Sequence, residues 1–285
     1  MTFLRKIYDE GTQSPFVSRL ILWPLMVRDF YIQQELLDEG INCKLQKFDN
    51  NYQPVWQALT NQREAAKRII ELLRDHNFYL ANMQMSANVG QITIEREIDN
   101  PLNKEIKSFI VEGNIALKSG LQNFLIEVFN LNIGYIFQKE TLFKNGLSSL
   151  REGNENSLID YLSLIRTKWL YSFVSLRNDI EHNGYKIPLI KYTIQYNNAI
   201  KPEYPNILDM SIERFVREYH NHVCLCVEDL LAYAFTRNLN LPVYLYEIPY
   251  ISRNPSNCER FSIEPIGLSD KAVWGIKYSE TSDFL

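Results

Sequence analysis

The chain has no GxGxxG, Walker A, GxSxG or HExxH run, and no tight aspartate pair of the kind metal-dependent nucleases use. Each of those patterns builds a local arrangement of backbone and ligands that its chemistry requires, so dinucleotide, P-loop, serine-hydrolase and zinc-peptidase activities lose support. Cysteine is scarce: Cys43, Cys224, Cys226 and Cys258 are the only four in 285 residues, and the opening MTFLRKIYDEG has no apolar core of a secretion signal. The expectation is a reducing, cytoplasmic setting and no disulfide framework. Long apolar runs are missing as well. The longest early one, Leu20 to Val27, is eight residues, contains Pro24 and is flanked by Arg19 and Arg28, whereas spanning a bilayer takes about 20. No membrane partner is expected. A positive excess is absent too: the formal charge is −4, which argues against indiscriminate coating of nucleic acid, because such binding relies on neutralising many phosphates.

What is present is helical periodicity on 46% hydrophobic residues, ample for a buried core. Three zones are expected. Residues 1–100 form an N-terminal helical region, with one apolar helix around 15–38 and an amphipathic helix from about Pro54, at a helix-start position, to Asp75. Residues 84–95 carry a weak hairpin signal around Asn88-Val89-Gly90, and Asp99-Asn100-Pro101 marks the boundary. Residues 101–240 read as a helical core. Ile106, Phe109, Ile110, Leu117, Leu121, Phe124, Leu125 and Val128 share one side of a first helix that Asn130 to Gly134 breaks. A shorter helical stretch and a polar loop, Arg151 to Asn156, follow. A last helix from Ser211 turns Ile212, Phe215, Val216, Tyr219, Val223, Val227, Leu230, Leu231 and Ala234 inward, and a strand is expected at 191–196. Residues 241–285, with strand-like runs at 243–248, 260–263 and 274–278, are expected to form a small β extension. The fold class is mainly α, an antiparallel helical bundle.

The most informative stretch lies at the end of a long helix. Leu158, Leu162, Ile165, Trp169, Phe173, Leu176 and Ile180 recur every three or four residues, Ser157 can cap the start, and Gly184 can end it. Within the last turns lie Arg177, Asn178, Asp179, Ile180, Glu181 and His182. Residues five apart stand about 140° apart around the axis, so the arginine stem must bend to reach the imidazole. Asn178 and His182, four apart, lie together, and an amide there can fix the imidazole tautomer. Glu181 is an i,i+4 competitor for Arg177. From Ser163 to Lys201, Arg166, Lys168, Arg177, Lys186, Lys191 and Lys201 against Asp179 and Glu181 give a local excess of four positive charges, as an RNA-contacting cleft would have. A solvated helix end would look the same.

Arginine, asparagine and, five residues after the arginine, histidine at the end of a long helix resemble the signature of HEPN domains, over roughly residues 101 to 240. Catalytic members of that family are metal-independent ribonucleases. The resemblance implies an endoribonuclease acting on single-stranded RNA in a defence or toxin-like role, without cofactor or metal. Its catalytic residues would be Arg177, His182 and Asn178, with Lys168 and Lys186 toward the RNA. It further implies a homodimer paired through the motif helix, and a nucleotidyltransferase or other defence protein as a possible partner. Toxin members of the family carry a tyrosine two residues after the histidine; here Gly184 stands there and Tyr185 follows, which puts that mode of control in doubt. The alternative is a non-catalytic HEPN-like protein that binds a partner or a nucleotide; a structural or adaptor protein that binds through its C-terminal sheet ranks third.

One further cluster, His220, His222, Cys224 and Cys226, has the residue types of a metal site. On a helix their alternate spacing splits them into two directions, so buried cysteines and surface histidines are the expected reading.

Overall fold

Apolar residues at helical spacing dictate most of what forms. The computed structural model describes residues 39–83, 92–152, 156–194, 200–237, 243–252 and 261–265, with Ile276 and Tyr278. The expected helix around 15–38 lies outside these residues. The structure is mainly helical, with a small antiparallel sheet near the C-terminus. Helix α1 spans Glu39–Asn82. It is followed by strand β1 (Ile92–Arg96) and by α2 (Asn100–Asn114), which continues through a π-helical segment (Ile115–Leu121) into α3 (Gln122–Phe129). A 3₁₀ turn (Gly134–Phe137) leads to α4 (Glu140–Glu152). Next come α5 (Asn156–Ile165), a second π-helical segment (Arg166–Leu170) and α6 (Tyr171–His182). Strands β2 (Ile190–Ile194), β3 (Ile200–Glu203), β4 (Asn206–Ile207) and β5 (Met210–Ser211) precede α7 (Ile212–Arg237). Strands β6 (Val243–Glu247) and β7 (Phe261–Pro265) pair antiparallel, within the expected β extension. Residues 276 and 278, in the third expected strand, have no regular structure.

Several boundaries differ from expectation. α1 begins well before Pro54 and passes through it. Proline costs a helix one hydrogen bond, but Pro54 and Asn50 both lie on the exposed side, so the carbonyl left unpaired is on the solvent side, while Tyr52, Val55, Ala58 and Leu59 are buried on the other. β1 pairs with β2, in the register Ile92 to Ile194, instead of closing a local hairpin, and β2 pairs with β3; residues 84–91 are outside the described set. The N-terminal region is thus not wholly helical. Pro101 sits in the first turn of α2, where its missing N–H is not needed. Ser211 Oγ accepts the Arg214 amide at 3.4 Å at the start of α7. Asn130, at φ 54°, ends α3.

By compactness the described residues divide into two units. Of the described residues, one takes in those within 39–60, 115–171 and 221–278; the other takes in those within 61–114 and 172–220. The division cuts across α1, which has 44 residues. In the first unit, Leu117, Leu121, Leu125, Leu158, Leu162, Ile165 and Trp169 are buried with Val223, Val227 and Leu230. Tyr52 meets Phe124 edge-on at 5.4 Å. Gly120 lets the α1 backbone come close, since a Cβ there would stand 3.1 Å from the Val55 Cα. In the second unit, Phe109, Phe173, Phe215 and Tyr219 form a ring cluster with centroid spacings of 4.7 to 5.8 Å. Among the described residues, no helix is long and apolar enough to cross a membrane.

Candidate functional site

The apolar stripe ahead of the motif is buried from Leu158 through Leu176, and Ile180 is half-buried. Burial of that stripe sets the direction of α6 and leaves its last turn facing outward. Gly184, at φ +65°, ends the helix. The amides of Asn183 and Tyr185 both donate to the Asp179 carbonyl, at 3.1 and 3.0 Å, and Asn183 Nδ2 donates to the Asp179 carboxylate at 2.7 Å. Asp179 therefore clamps the helix end, a role that could have been read from its i,i+4 spacing to Asn183. Tyr185, partly buried against this turn, has its hydroxyl pKa pushed up by burial and then by the Asp179 charge. A Cβ on Gly184 would meet nothing within 4 Å. Gly184→Ala is therefore expected to cost only the left-handed backbone term, about 1 kcal/mol in urea denaturation; unchanged stability would mean the turn relaxes.

Arg177 and His182 lie in the last turns of α6 as expected, with side-chain exposures of 29% and 65%. His182 is thus open to solvent and not packed in the core. Between them stands Glu181. Its Oε2 is 2.5 Å from Arg177 Nη2 and 3.8 Å from His182 Nε2, one oxygen facing both the guanidinium and the imidazole. Arg177 Nη1 also donates to Asn178 Oδ1 at 3.2 Å. The expected bond is absent: no hydrogen bond joins Asn178 to His182 among the described residues, and the Asn178 carbonyl accepts from Arg177 instead. Asn178 is hydrogen-bonded to the arginine and not to the imidazole.

The other expected contacts scatter. Lys186 is exposed on the segment after Gly184, in the same unit as the motif. Lys168 belongs to the other unit, with its ammonium 4.8 Å from the centre of the Tyr278 ring. The local basic field is smaller than the charge count implied. Arg166 is buried in the π-helical segment, where Nη1 donates to the Ile136 carbonyl at 2.6 Å and the guanidinium lies over Phe143 and Tyr171. Lys191 pairs with Glu95 at 3.3 Å. Counting charges along a sequence does not show which are already neutralised by cross-strand or core partners.

The His/Cys cluster on α7 separates as its helical placement requires. Cys224 and Cys226 are buried thiols. The histidines are not both at the surface, however: His220 is fully buried, with Nδ1 3.1 Å from Gln62 Oε1, and His222 stacks on Trp169 at 5.3 Å. Burial, reinforced by the nearby Arg63 and Lys67 charges, lowers the His220 pKa from 6.5 to about 3, so the ring is neutral near pH 7. No group of three or more His, Cys, Asp or Glu suited to a metal ion occurs among the described residues.

No family model matches the chain, and no curated protein or solved structure matches it. Sequence reasoning missed one polar cluster in the second unit. His76, near the end of α1, has Nδ1 2.7 Å from the Tyr204 hydroxyl and Nε2 3.3 Å from that of Tyr192, and Tyr204 donates to Asn77 Oδ1 at 3.2 Å. Burial first, then Tyr192 and Asp99, pushes the Tyr204 hydroxyl up to about 12. Its partners are 116 and 128 positions away in the chain, so no local pattern could reveal it. The cluster ties the end of α1 to the strands that follow the motif.

Proposed function

We propose that the chain is a metal-independent endoribonuclease of the HEPN type, built on an antiparallel helical bundle and acting on single-stranded RNA in a defence or toxin-like role. The observation that carries this reading is the convergence of Arg177 and His182 on one carboxylate oxygen at an outward-facing helix end. An arginine and an imidazole that share one oxygen anion have the chemistry to share a phosphoryl oxygen. In the proposed reaction the RNA 2′-hydroxyl attacks the adjacent phosphorus, its proton passing to a neutral His182. The P–O5′ bond breaks, and the leaving 5′-oxygen takes a proton from a protonated His182, leaving a 2′,3′-cyclic phosphate. Arg177 balances the charge that grows on the non-bridging oxygens. Two copies pairing through α6 would supply one imidazole for each proton transfer, which is why a homodimer belongs to the proposal.

A second reading rests on the same pair. With Glu181 on Arg177, the resting site is neutralised, as suits a non-catalytic protein that binds a partner or a nucleotide. Cleavage of RNA separates the two. Purified protein in EDTA is expected to cut single-stranded RNA, leave 2′,3′-cyclic or 3′-phosphate ends and spare DNA of the same sequence, since DNA lacks the attacking hydroxyl. Cleavage of both polymers, or of neither, would sink the ribonuclease reading.

A further inference from the structure

The carboxylate of Glu181 does more than accompany the motif. Its Oε2 sits within contact of Arg177 Nη2 and faces His182 Nε2 at 3.8 Å. It holds the place between guanidinium and imidazole that a phosphoryl oxygen would need. The other nearby carboxylate cannot do this, because Asp179 is spent on the Asn183 side chain. We propose that Glu181 is a built-in occupant of the anion position, displaced when an RNA phosphate enters, and so sets how readily the site accepts its substrate. This rests on the reading of Arg177 and His182 as a phosphate site.

Physical chemistry makes the exchange feasible in both directions. An i,i+4 arginine–glutamate pair on a helix is held weakly when partly exposed, and here Arg177 and Glu181 have side-chain exposures of 29% and 28%. A carboxylate on a short stem swings away by side-chain rotation alone, with no change of backbone. A phosphodiester anchored by further contacts along the strand can therefore take the position, while a weakly held free anion gains less by doing so. After displacement Glu181 remains one helical turn from Arg177, a like charge beside the bound phosphate. Both effects oppose binding.

The test uses a short 2′-O-methyl RNA, which cannot be cleaved because its 2′-oxygen carries no proton to lose. Its affinity is measured by fluorescence anisotropy at low salt for wild type, E181Q, R177A and the double variant. Glutamine preserves size and removes the charge, and circular dichroism checks the fold of each protein. E181Q is expected to bind about five-fold tighter or more, as loss of one charge at contact distance implies. In the R177A background the same change should yield less than half that gain, because the occupied partner is gone. Unchanged or weaker binding by E181Q overturns the inference, and so does an equal gain with and without Arg177, which would mean only long-range repulsion. Cleavage of unmodified RNA is scored separately. Cleavage without an E181Q gain leaves the nuclease reading and removes this one; the gain without cleavage does the reverse; no binding by any variant removes both.

Discussion

Alanine at Arg177 or at His182 is expected to lower single-turnover cleavage of single-stranded RNA by about two orders of magnitude or more, because in the proposed reaction each is a group acting at the transition state. Asn178→Ala should cost far less, on the order of five-fold, since the amide reaches the reaction only through its 3.2 Å bond to Arg177. The ordering matters as much as the sizes. Were Asn178 the tautomer-setting partner of His182, its removal would approach the histidine loss; the observed partner places it with the arginine. All three residues lie at the outward end of α6, so the substitutions should leave the helical spectrum unchanged. Equal trace activity in wild type and both alanine variants would identify the nuclease as a contaminant.

Stability is expected to fall steeply in mild acid, and His220 is the reason. Its folded pKa, about 3, lies below the unfolded value of 6.5. Between those values the unfolded chain binds the proton and the folded chain does not. The contribution is therefore whole above about pH 6.5 and is lost as pH falls toward 3, by about 1 kcal/mol or more per pH unit. His220→Asn keeps a polar group near Gln62 and cannot titrate. Urea midpoints at pH 7.5, 6 and 5 should drop for wild type and stay nearly level for the variant, even if the variant is weaker throughout. Parallel slopes would assign the acid sensitivity to other groups.

The two cases show which parts of this chain its sequence discloses. Helix faces were legible, since Leu158 to Leu176 and Ile212 to Ala234 repeat at the spacing that burial imposes. Gly184 was legible too, because a left-handed stop favours the residue without a Cβ. Pro54 misled, as local propensity marks a helix start and the buried face of α1 carries the helix past it. Partners distant in the chain were not legible: β1 with β2, His76 with two tyrosines, His220 with Gln62. The π-helical turn that buries Arg166 was hidden for a related reason, since an arginine in an apolar stripe reads as a surface charge until its carbonyl and aromatic neighbours are known. At the motif, the competitor Glu181 was readable from spacing, and its simultaneous approach to His182 was not.

The two cysteines of α7 give the protein an internal clock. Cys224 and Cys226 are closed off from solvent, and burial pushes the Cys226 thiol pKa well above its ordinary value. Only a thiolate reacts with alkylating reagents. Modification at these two positions must therefore wait for α7 to open, and its rate at saturating reagent reports how often the core around that helix comes apart. Read peptide by peptide, that rate distinguishes a substitution that silences chemistry at the end of α6 from one that loosens the scaffold beneath it.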